Sequence, residues 1–333
     1  MLFEQDEIQG YIAEYLDISP EDSQVVIKSI ESQHGLIVER AQRIYSFSHL
    51  TFQEYFAAKW FVNSPHWEVL VSHITSKEWR EVFFLTVEML ENANSFLKLM
   101  KYQVDKLLSN NRILQMFLAD IHQKVCDSNA PYKPASVKAF YIGDNQDFSD
   151  SIAKLDKNIA NDYNYALELC DDIESDLGLN LDEYTTPKEM SIANQIRSSS
   201  QFAIAGSIIS NMEIRHELYK LRSSQISLTN DDEIFEQDWE DEFGEQDWEE
   251  NWQAWREKLC DVIDNQNCFH GWEFEDNDYA LLHEYYYANK LLVDCLNSGC
   301  TVSKVVRQEV EDTLLLPIAE IEEYQSKKCS SEQ

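Results

Sequence analysis

Apolar positions along most of this chain recur at three- and four-residue intervals, the spacing that places them on one face of an α-helix. Residues 6 to 33 read as two helices, "DEIQGYIAEYL" and "SPEDSQVVIKSIESQ". Pro20 occupies a first-turn position in the second, with acids behind it whose charge complements the helix dipole. The pattern changes at "GLIVERAQRIYSF", where β-prone runs at 36 to 38 and 44 to 47 flank a polar turn, as in a β-hairpin. From 51 to 61 the helical period returns with Phe52, Tyr55, Phe56, Trp60 and Phe61. Thr51-x-x-Glu54 fits a capping box there, with Ser48 as a competing N-cap. Two helices, a hairpin and a further helix predict a winged-helix-like unit over 1–63.

The same amphipathic pattern continues through "HWEVLVSHI", "EWREVFFLTVEML", "SFLKLMKYQVDKLL" and "RILQMFLADIHQKV", separated by short polar breaks. It predicts a stacked helical array over 64–130. "NAPYKP" interrupts it, and a second helical block is expected over 131–229. Residues 230–250 read as an acidic linker: the 20 residues from 231 hold 12 acids and no base, and "EQDWE" occurs twice. Phe235, Trp239, Phe243 and Trp248 leave open an acidic-aromatic docking strip. A C-terminal helical domain is expected over 251–322, with Leu281, Leu282, Tyr285, Tyr286, Leu291 and Leu292 on its apolar side, then a disordered tail over 323–333. The fold class is all-α, with one small hairpin.

Composition sharpens this picture. Only 8 Gly and 6 Pro occur in 333 residues, which favours long helices over turn-rich β architecture. The formal charge of −34 repels phosphate backbones and anionic lipid surfaces, so neither nucleic acid nor membrane is an expected partner. No apolar run approaches the roughly 18 residues that span a bilayer, and the acidic start lacks a basic leader, so a cytoplasmic protein is expected. Seven scattered cysteines without a C-x-x-C read as free, mostly buried thiols.

Motifs for catalysis are missing. No Gly-Lys pair exists, so no phosphate-cradling G-x-x-x-x-G-K-[ST] loop is present. His216 and His283 each precede Glu but lack the second His of a helical zinc-protease motif, and there is no G-x-S-x-G elbow. Cys268, His270, Cys295 and Cys300 are the candidate metal ligands, in a "CFH" plus "CLNSGC" spacing that matches no recognised frame; no bound metal is expected. By itself the chain is expected not to be an enzyme.

The segment "IESQHGLIVERAQRIYSFSHLTFQEYFAA" resembles the winged helix of NACHT-type STAND ATPases, the group of NOD-like receptors and bacterial defence proteins. "WREVFFLTVEMLENA" and "YYANKLLVDCLNSGCTVSKVVRQEVEDTLLLPIAEI" are similar to the C-terminal helical, Cys/His-containing extension of cyanobacterial members. The resemblance implies that His49 contacts the β-phosphate of ADP held by an NTPase module. ADP or ATP with Mg is then a cofactor only when such a module is joined in cis or supplied in trans. It also implies a signal-transduction or defence switch, in which the winged helix closes on nucleotide and the helical array senses a protein ligand or restrains self-association. The competing reading is a stand-alone helical interaction scaffold, with His49 packing between hairpin and helix.

Overall fold

The computed structural model describes residues 2–64, 66–128, 130, 132–142 and 274–331, together with 152, 155, 156, 158, 159 and 272. The acidic segment with its repeated EQDWE, His216, Cys170, Cys260, Cys268 and His270 lie outside the described residues. The chain divides into two compact units, one formed by 1–100 with 295–302 and the other by 101–294 with 303–333.

The first unit opens with β1 (Phe3–Glu4), α1 (Gln5–Leu16) and α2 (Pro20–Ser29). Ser19 caps α2, its side chain accepting from the Asp22 N–H, and Pro20 fills the first helical position, where a missing N–H costs nothing. A π-turn, Ile30–His34, ends at Gly35, whose φ of 60° a side chain would oppose. The hairpin follows as β2 (Ile37–Ala41) and β3 (Ile44–Phe47). The sheet has three strands in the order β1-β3-β2, all antiparallel, with Phe3 opposite Tyr45 and Ile37 opposite Phe47. Strand β1 is additional to the expected hairpin; two residues are too short to leave an alternating pattern. Ile27, Ile37 and Tyr45 form the buried centre, with Ile8, Ile12, Ile30 and Phe47 against them.

Helix α3 (Leu50–Asn63) packs on α5 (Arg80–Met89), with the short α4 (Trp67–Val71) between them in sequence. Phe61 is buried at this junction with its ring edge against Trp79, and its carbonyl accepts from Trp67 Nε1 at 3.0 Å. Helix α6 (Asn94–Leu108) contributes Phe96, which meets Phe83 and Trp67.

In the second unit α7 (Arg112–Ser128) packs on α8 (Pro134–Ile142), which meets α10 (Lys304–Thr313). Helix α9 (Asp276–Asn297) buries Leu282, Tyr285, Tyr286, Leu291 and Leu292 as its period predicts, while Leu281 is only half-buried. Helix α11 (Ile318–Ser331) corrects the expected disordered tail: the chain stays helical to Ser331. Tyr324 donates to Asp312 at 3.0 Å and Lys328 to Glu309 at 2.8 Å, tying the helix to α10. Because these anchors are polar and distant in sequence, no apolar period announces them. Helices are the main element among the described residues, and the winged-helix and all-α expectations hold. No helix among them is long and apolar enough to cross a membrane.

Candidate functional site

The β3–α3 junction presents His49. Ser48 continues the hairpin ladder, its N–H donating to the Leu36 carbonyl at 2.9 Å, and α3 then starts at Leu50. His49 is the N-cap residue, with extended backbone (φ −131°, ψ 146°) and no side-chain capping bond. Neither Thr51 nor Ser48 caps the helix, which corrects the sequence expectation. Thr51 already lies inside the first turn, and the Ser48 hydroxyl is buried without a hydrogen-bond partner among the described residues. The leading N–H groups of α3 therefore receive no side-chain acceptor, and such a helix end favours an anion.

The imidazole of His49 is exposed. Its ring contact is an edge approach to Phe52 at 5.9 Å, and it makes no hydrogen bond or ion pair among the described residues. Arg40 on β2 braces the segment before it: Nε donates to Ser46 Oγ at 2.9 Å and Nη2 to the Ser48 carbonyl at 3.4 Å. Arg43, by contrast, pairs with Asp6. Arg40 carries no sequence signal, because a β-strand arginine on an exposed face reads as solubilising charge.

The apolar stripe of α3 is also not the buried face its period suggested. Ala58 and Phe61 are buried, but Tyr55, Phe56 and Trp60 are 39%, 40% and 50% exposed, and Leu50 is 65% exposed. Helical periodicity finds an apolar face without saying what covers it.

Of the candidate metal ligands, Cys295 is buried and Cys300 half-buried, its thiol donating to the Cys295 carbonyl at 3.4 Å. No group of three metal-binding side chains occurs among the described residues, a search that does not reach Cys268 or His270. Cys126 and Cys329 are exposed rather than buried, since each sits on the polar face of its helix.

Two family models match. Residues 13–61 match the winged helix-turn-helix domain C-terminal to NACHT, and residues 214–317 match NACHT C-terminal Helical domain 2. The chain therefore carries a NACHT-associated C-terminal region, with both matched domains of the kind that follows the NACHT module. No NTPase module is matched. No curated protein and no solved structure matches the chain.

Proposed function

We propose that this chain is the regulatory and sensing C-terminal portion of a NACHT-type STAND signalling NTPase, a switch in signal transduction or defence. The observation that carries the reading is the exposed His49, unpaired among the described residues, at a helix start without a side-chain cap, inside a segment that matches the winged helix found after NACHT. An imidazole beside free helix N–H groups suits a terminal phosphate. With a NACHT module in cis or trans, His49 would meet the β-phosphate of ADP and hold the closed state. Nucleotide and Mg then belong to that module, and this chain supplies a contact that is broken on opening. Opening would shift the population toward the signalling form, while the helical domains sense a protein ligand or restrain self-association.

The experiment is ADP release from a cognate NACHT module, measured with and without this chain. Slower release in its presence supports the reading. Release unaffected by the chain, from a complex shown to form, supports the scaffold reading in its place.

A further inference from the structure

The C-terminal helix α11 is lightly held. Among the described residues Ile321 is its one buried apolar side chain, and its other ties are polar. The Ile318 N–H donates to Gln115 Oε1 of α7 at 2.8 Å, and Tyr324 and Lys328 reach α10. The turn before the helix is strained: Leu315, fully buried, stands at φ 57°, a left-handed conformation that a bulky side chain adopts only where its surroundings impose it. An element with so few apolar contacts opens ahead of the rest of a fold.

One titratable side chain stands where α7 meets α11. His122 Nε2 lies 3.9 Å from Glu320 Oε2 on α11, and 3.8 Å from Cys126 Sγ one turn along α7. The other ring nitrogen, Nδ1, is buried and has no hydrogen-bond partner among the described residues. A neutral imidazole can leave that atom as a bare lone pair. A protonated ring carries N–H at both positions, so Nδ1 becomes a buried donor of a charged group with no acceptor. Glu320 relieves this only in part, because its oxygen faces Nε2 and lies beyond hydrogen-bond distance. From α8, Lys138 adds a like charge. Burial and then that charge hold the His122 pKa below its ordinary 6.5, with Glu320 acting the other way. With the folded value lowered, the opened chain binds more protons, so stability present above 6.5 is lost as pH falls through the folded value.

We propose that His122 is an acid-sensitive latch on α11: neutral, it lets the helix pack against α7; protonated, it releases the helix. Release lets the Leu315 turn relax and uncovers Ile321. The device lies wholly in the second unit and is independent of the His49 reading.

Amide hydrogen exchange of the full chain, followed by peptide mass spectrometry and corrected for intrinsic pH dependence, reads the latch directly. Protection across 318–328 should fall by about three- to tenfold from about pH 7.5 to about pH 5.5, while protection of α2 in the first unit stays level. In His122→Gln, which keeps a polar group near the Nε2 position and does not titrate, the fall should vanish. In Lys138→Met, where the neighbouring amine is gone, it should persist. The wild-type His122 ring, titrated by NMR, should protonate below 6.5. Protection that stays level or rises on acidification overturns the latch, as does an equal fall in His122→Gln or a ring that protonates above 6.5.

Discussion

At the β3–α3 junction the ionisable His49 stands in solvent beside exposed Leu50, Tyr55, Phe56 and Trp60, whereas in the second unit Lys101 and Lys138 are buried and Asp105 is largely covered. The first unit places apolar surface outside and leaves the His49 imidazole without a hydrogen bond or ion pair among the described residues; the second places charge inside a helical core. The Lys101–Asp105 pair shows how the second arrangement is tolerated. Burial lowers the Lys101 pKa and raises that of Asp105, and each partner offsets part of the other's cost through a 2.5 Å contact. Glu311, also buried, is held by Lys133 at 2.6 Å and Arg307 at 3.3 Å. The difference teaches that an exposed, unpaired ionisable group is free to meet a partner, while a buried one is committed to its neighbours.

The comparison can be broken most sharply by deleting buried groups. Phe61→Ala should cost about 3–5 kcal/mol in urea unfolding, and Trp60→Ala, its half-exposed neighbour on α3, less than about 1 kcal/mol. Equal costs would mean that α3 is covered on both faces. Asp105→Asn leaves Lys101 buried without its partner and should also cost about 3–5 kcal/mol. A near-neutral result would show that Lys101 reaches solvent.

Lys138 gives the opposite sign. Its folded pKa of about 7 lies below the ordinary lysine value, so between the two the unfolded chain binds more protons than the folded one. Stability should therefore rise with pH from about 7 to about 10, by up to roughly 1.4 kcal/mol per pH unit from this residue. Lys138→Met should remove that contribution and raise stability at pH 7. A variant with the wild-type slope would place the amine in solvent.

The smallest effect belongs to the first unit. His49→Ala in this chain alone should change unfolding stability by no more than about 0.5 kcal/mol, because the ring is exposed and its aromatic contact is one edge.

Much of this was legible in sequence, and the rest failed for physical reasons. Pro20, the 44 to 47 strand and the helices from Trp67 to Ser128 follow directly from local chemistry and period. The string around His49 marked the candidate site, but not its setting. Thr51 and Glu54 offered a capping box that the helix start at Leu50 leaves unused, and Tyr55, Phe56 and Trp60 have the period of a core face without the cover. Lys101, Lys138 and His122 were silent, because charged residues on amphipathic helices ordinarily mark the solvent side, and only tertiary packing turned these inward. Arg40 was silent too, since its brace on Ser46 and Ser48 depends on the register of the hairpin.

The central claim is that His49 holds a phosphate for a NACHT module, and ADP dissociation from the assembled protein tests it most directly. If the imidazole binds the β-phosphate, His49→Ala removes a hydrogen bond to a charged group, worth roughly 1.5–3 kcal/mol. ADP should then dissociate about ten to a hundred times faster, with ligand-independent signalling, while the fold of this chain is unchanged. ADP dissociation at the wild-type rate, together with a chain that His49→Ala destabilises, would contradict the account and make His49 a packing residue.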